Sequence, residues 1–131
     1  MPELAPASVD ELLAAARAGL ARLTPAAALV AMRTGAVLVD IRSDSQRMRD
    51  GHVPGAHFIA RNVLEWRLDP ACPHRDRELA QSDARLLLLC DEGYQSSLAA
   101  ATIRSFGIAG ATDVIGGFQA WRAAGLPVER A

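Results

Sequence analysis

Two short segments constrain this chain more than anything else in it. Val37-Leu38-Val39-Asp40-Ile41 and Arg85-Leu86-Leu87-Leu88-Leu89-Cys90 run apolar with almost no polar alternation. A strand with one wet face alternates, whereas a strand that is apolar throughout is covered on both faces. Helix signals flank these segments. Ser8-Val9-Asp10-Glu11 is a capping box that opens an Ala/Leu-rich helix to about Ala18, with Gly19 as its stop. Thr24-Pro25 starts a second helix, which carries Leu29, Val30 and Met32 and ends at Gly35. Further helices are predicted over Ser43 to Asp50, Asn62 to Leu68, Leu98 to Phe106 (after Ser96-Ser97) and Phe118 to Ala124. His57 to Ala60 and Thr112 to Ile115 read as short strands, and Asp69 to Ser82 as a charged loop with helical fragments. Helices alternating with doubly covered strands define an α/β fold with a mainly parallel central sheet and helices on both faces.

Half of the 131 residues are hydrophobic, enough for a single core without covalent staples. The expected organisation is an N-terminal helical extension over residues 1–19 and one α/β domain over residues 20–131. A net charge of −1 gives no reason to expect nucleic acid or an acidic membrane as partner. All fourteen basic residues are arginine, which excludes a Schiff-base lysine and a P-loop lysine. Two cysteines, Cys72 and Cys90, are too few for a disulfide scaffold. The N-terminus carries no secretory pattern and no apolar run reaches the length of a membrane span, so a cytoplasmic protein is expected.

Cys90 is the residue with the most chemical promise. It ends an apolar strand, opens the loop Asp91-Glu92-Gly93-Tyr94-Gln95 and precedes a helix. In parallel sheets ligands bind beyond the carboxyl ends of the strands. Converging backbone N–H groups and the positive end of a helix stabilise a thiolate there. A buried core cysteine at a strand end is the competing reading of the same pattern.

Four segments together resemble the rhodanese-like domain, a sulfurtransferase family. They are Leu38-Val39-Asp40-Ile41-Arg42, Gly51-His52-Val53-Pro54-Gly55-Ala56, the Cys90 loop, and Gly116-Gly117-Phe118-Gln119-Ala120-Trp121 continued to Val128. In order and spacing they cover roughly Leu20 to Val128. The resemblance implies a two-step transfer in which Cys90 takes a sulfane sulfur from a donor, becomes a persulfide and passes the outer sulfur to a thiol or cyanide-type acceptor. It implies neither metal nor organic cofactor. The partners it implies are a small sulfur donor and a thiol acceptor, with a protein acceptor also open, in a monomer or homodimer. The backbone N–H groups of Asp91, Glu92, Gly93, Tyr94, Gln95 and Ser96 would cradle the charge, and the Ser96 hydroxyl would add a hydrogen bond. Phosphatases with a related loop place an arginine six positions after the cysteine for bidentate phosphoryl binding; Ser96 stands there in this chain.

The loop departs from many thiosulfate-using members, which carry basic residues in it. Here Asp91 and Glu92 follow the cysteine, an arrangement that disfavours a thiolate and repels an anionic donor unless both point to water. The expected preference is therefore a neutral, cationic or protein-borne sulfur partner. Arg61 and Arg67, beyond the Pro54-Gly55 turn, either lean over the site and restore anion binding or pair with Glu65 and Asp69. Tyr94, the sole tyrosine, either presents a flat surface to a partner or packs on its own domain. Asp40 and Arg42 project to one side of a strand end and read as structural. His52 and His57 read as structural or exposed, Trp66 and Trp121 as core or rim packing, and Cys72 as a bystander or a resolving thiol. The alternative function is a non-catalytic rhodanese-fold module for binding, regulation or redox sensing.

Overall fold

The computed structural model describes residues 5–130; residues 1–4 and 131, the outer ends of the two expected units, lie outside them. In chain order the elements are α1 (Val9–Ala18), α2 (Pro25–Met32), β1 (Val37–Asp40), α3 (Asp44–Asp50), β2 (His57–Phe58), a 3-10 turn (Arg61–Val63), α4 (Leu64–Leu68), β3 (Leu86–Leu89), α5 (Gln95–Arg104), β4 (Thr112–Asp113) and α6 (Gly117–Ala123). The strands form one sheet in the order β2-β1-β3-β4, and every pairing in it is parallel. The two apolar segments lie side by side at its centre, with Val37 opposite Leu86 and Asp40 opposite Leu89.

Alternation along these central strands divides the core into two layers. Val39, Ile41, Leu86, Leu88 and Cys90 face Leu64 and Leu68 of α4 and Ala99, Ala100 and Ile103 of α5. Leu38, Leu87 and Leu89 face the opposite way, toward Ala28 of α2 and Phe118 and Trp121 of α6. Cys90 thus shares the side of the sheet on which α5 packs. Among the described residues no helix is long and apolar enough to cross a membrane.

Local chemistry accounts for the helix starts. Ser8 with Glu11 and Ser43 with Gln46 are complete capping boxes at α1 and α3, and Thr24 caps α2 with Pro25 at its first position. One start differs from expectation: α5 begins at Gln95, before Ser96 and Ser97. Serine competes with helix when its hydroxyl seeks local backbone partners. Here both hydroxyls are engaged by a carboxylate from β4, so the serines sit inside the first turn. The last strand is also shorter than expected. After Asp113 the chain bridges to Leu23 instead, which pairs with Val114.

At the carboxyl end of β1, Arg42 is fully buried and binds both Asp40 oxygens, at 2.8 to 3.2 Å. It also donates to the Gly51 carbonyl at 2.8 Å, and its guanidinium lies 3.8 Å from the Phe118 ring centroid. The pair ties β1 to the Gly51 turn and to α6, a structural role. Trp121 is fully buried with its indole N–H on the Pro127 carbonyl, whereas Trp66 is 58% exposed and belongs to the rim.

Candidate active site

β3 delivers Cys90 to the end of the sheet, and the loop Asp91–Tyr94 carries the chain into α5. Gly93 turns the loop back on itself: with φ +87° its N–H donates to Cys90 Sγ at 3.1 Å. Only glycine fits this position. A Cβ on Gly93 would lie 2.6 Å from the Gly116 nitrogen, and one on Gly117 would lie 2.5 Å from the Cys90 carbonyl oxygen. The Gly116-Gly117 pair thus lets the start of α6 press against the loop. The Phe118 N–H donates to the Cys90 carbonyl at 2.8 Å and the Gln119 N–H to the Asp91 carbonyl at 3.0 Å.

Cys90 itself is only 2% exposed, yet it lines a cavity of about 270 Å³ with Gln46, Asp91, Glu92, Tyr94 and Gln95. A neighbouring cavity of about 470 Å³ shares Gln46 and Gln95 with it and is lined by Arg61, Asn62 and Phe58 among others. In the first turn of α5 the Ser97 N–H donates to the Tyr94 carbonyl at 3.1 Å, while those of Gln95 and Ser96 precede the helical ladder and are available to negative charge near the sulfur.

The expected site residues divide into those the fold gathers and those it employs elsewhere. Cys90, Asp91, Glu92, Tyr94 and Gln95 line one cavity, and Gly93 touches the sulfur. Ser96 differs from its expected role, because its hydroxyl donates to Asp113 Oδ2 at 2.7 Å, fully buried, and not to Cys90. Of the loop N–H groups expected around the sulfur, Gly93 makes the hydrogen bond. Arg61 pairs with Glu65 at 2.8 Å and lines the neighbouring cavity. Arg67 is turned away, donating to the His74 carbonyl. Cys72 lines a different cavity with Glu65, Trp66, Asp69 and Phe106, and both cysteines are free thiols. His52 pairs with Glu129.

The two carboxylates have distinct surroundings. Asp91 accepts from the Gln119 amide at 3.0 Å and lies 3.9 Å from Arg49, whereas Glu92 is exposed. The same Gln119 amide donates to Asp50, which also binds Arg49 and Arg122. Hydrogen bonds from Arg49 and then Gln119 hold the Asp50 carboxyl well below the usual carboxylate range, against the opposing effect of burial. Hydrogen bonding and attraction to Asp50 in turn raise Arg49 above its ordinary value.

Three residues around the loop went unread in the sequence. Asp113, fully buried, gathers both serine hydroxyls of α5 and a bidentate Arg22, at 2.7 to 3.2 Å. A lone carboxylate inside the apolar strand Thr112–Ile115 was the available signal, since buried charges are paired. Arg17 and Arg22 belong to the N-terminal segment and carry no local signature.

A parallel α/β domain with a strand-end cysteine held by a tight glycine loop defines a class of fold and site. The comparisons make it specific: the family model of the rhodanese-like domain matches residues 24–124, and the chain belongs to that family. It is similar to the thiosulfate sulfurtransferase GlpE of Haemophilus influenzae (strain PittEE), 33% identical over 83% of this chain and 94% of that protein. It is similar also to the thiosulfate sulfurtransferase GlpE of Pseudomonas putida (strain F1), 37% identical over 84% of this chain and 91% of that one. Among solved structures, a Rhodopseudomonas palustris CGA009 protein of unknown function, described as a possible tyrosine phosphatase, is 34% identical with a TM-score of 0.87. That match covers 98% of this chain and 99% of the other. The rhodanese-related protein of Thermoplasma volcanium, 20% identical with a TM-score of 0.66 over 84% of this chain and 98% of that one, shares the fold.

Proposed function

We propose that this protein is a sulfurtransferase in which Cys90 carries sulfur as a persulfide. The observation that carries the reading is the Gly93 N–H on Cys90 Sγ at 3.1 Å, with the sulfur's residue lining a cavity beside the first turn of α5. Membership of the rhodanese-like family and similarity to proteins named thiosulfate sulfurtransferase support it. In the first step the Cys90 thiolate attacks the outer sulfur of a donor. A new S–S bond forms, the donor's bond to that sulfur breaks, and the leaving group departs with the electron pair. In the second step an acceptor thiolate attacks the outer sulfur of the persulfide, and Cys90 leaves as thiolate. The backbone donors stabilise the negative charge that returns to the cysteine in each cycle.

The cavity around Cys90 is lined by Asp91 and Glu92 and by no cation. This favours a neutral, cationic or protein-borne sulfur partner over the thiosulfate dianion. Tyrosine-phosphatase chemistry lacks its guanidinium, since Ser96 stands at the required position and its hydroxyl is committed to Asp113. Steady-state kinetics with thiosulfate and with cysteamine persulfide, whose ammonium group offsets the charge of its sulfur, as alternative donors test the reading. Ping-pong patterns, loss of turnover in Cys90→Ala and a higher kcat/KM for the persulfide are expected. Turnover that survives Cys90→Ala would overturn the mechanism, and a preference for thiosulfate would overturn the donor assignment.

A further inference from the structure

Gly93 has two faces: its N–H meets the sulfur, while two arginines hold its carbonyl oxygen. Arg17 Nη2 donates to that oxygen at 2.8 Å and Arg22 Nη2 donates to it at 3.1 Å. Separate devices bring each arginine there. Helix α1 packs along α5, and Arg17 Nε donates to Ser97 Oγ at 3.0 Å while its guanidinium lies 5.8 Å from the Tyr94 ring centroid. Arg22 is set by the Leu23–Val114 bridge, in which the Leu23 N–H donates to the Asp113 carbonyl and the Ile115 N–H to the Leu23 carbonyl. That bridge aligns Arg22 for its bidentate contact with the fully buried Asp113 carboxylate. Both arginines precede the family match, which begins at residue 24.

We propose that Arg17 and Arg22 are positioning residues of the Cys90 site, fixing the Gly93 N–H on the sulfur and bringing positive charge to a loop that has none. The inference rests on the reading of Cys90 as the nucleophile. A loop running Asp91-Glu92-Gly93-Tyr94-Gln95 carries two carboxylates and no cation. Charge-assisted hydrogen bonds are about twice as strong as neutral ones, and two of them converge on one carbonyl. Gly116 packs close on the other side, where a Cβ on Gly93 would lie 2.6 Å from the Gly116 nitrogen, so Gly93 is held from both sides. The N-terminal segment thereby becomes part of the catalytic apparatus. Arg22 also neutralises Asp113, the carboxylate that lies under the first turn of α5.

The test is alkylation of Cys90 by iodoacetamide as a function of pH, in a Cys72→Ser background, for wild type, Arg17→Gln, Arg17→Lys and Arg22→Gln. Both glutamine variants are expected to react roughly three- to tenfold more slowly near neutral pH, because the thiolate loses charge-assisted support. Their rates should converge with wild type at alkaline pH, where every thiol is ionised, and Arg17→Lys should recover part of the loss. Removing Arg22 strands the buried Asp113 and risks the fold. Arg17→Gln, whose partners are a carbonyl and a hydroxyl, therefore decides the matter. If that variant, with native circular dichroism, alkylates like wild type across the whole pH range, the proposal is wrong. Alkylation reads the thiolate without any sulfur transfer. A wild type that never takes up sulfur but shows the Arg17→Gln slowing overturns the sulfurtransferase reading alone.

Discussion

Gly93 and the two carboxylates before it set the character of this site. Gly93→Ala would place a Cβ against the Gly116 nitrogen at a positive φ. Such strain costs roughly 1–3 kcal/mol, so the melting temperature should fall measurably, and Cys90 alkylation should slow as the N–H leaves the sulfur. Glu92 is exposed and unpaired by any hydrogen bond among the described residues, while Asp91 is tied to Gln119 and Arg49. Glu92→Gln is therefore expected to raise kcat/KM for thiosulfate roughly fivefold, consistent with about 1 kcal/mol between near charges in water, with little change for an uncharged donor. A donor comparison on that single variant checks it. The sequence revealed the acidic loop but not its orientation, because the orientation depends on Gln119, which follows Asp91 by a strand and a helix.

The junction of α3 with α6 is where the site meets solution pH. Asp50 closes α3, and its carboxylate binds Arg49, Arg122 and the Gln119 amide that also holds Asp91. Because hydrogen bonds hold Asp50 below the ordinary value of 3.8, it stabilises the fold at all pH above that value. This stabilisation is lost as pH falls through the folded-state value. Asp50→Asn should therefore melt below wild type at neutral pH, with the gap closing in strong acid; melting curves against pH measure it. Capping boxes and Pro25 made the starts of α1 and α2 legible from local chemistry alone. The start of α5 was not, because Asp113, distant in sequence, satisfies Ser96 and Ser97.

At the scale of the whole molecule, the continuous apolar strands carried most of the fold. Their lack of alternation required cover on both faces, and the two core layers divide strictly by alternate residues of β1 and β3. Leu88 is fully buried in the layer that contains Cys90, and Leu88→Ala should cost about 2–5 kcal/mol, read by urea denaturation. The position of Cys90 at a strand end followed from the same pattern, as did its family resemblance from ordered motifs. The N-terminal arginines escaped because nothing local marks a residue whose partners lie 70 or more positions away. Arg17 links the first helix, and Arg22 the segment before α2, to the carbonyl of one glycine in the Cys90 loop.

The central claim is that Cys90 carries sulfur, and intact mass spectrometry tests it most directly. Wild type and Cys90→Ala would be incubated with glutathione persulfide, desalted and weighed before and after cyanide. The account predicts one added sulfur atom on wild type, removed by cyanide, and none on Cys90→Ala. No adduct on wild type, or an equal adduct on Cys90→Ala, would contradict it.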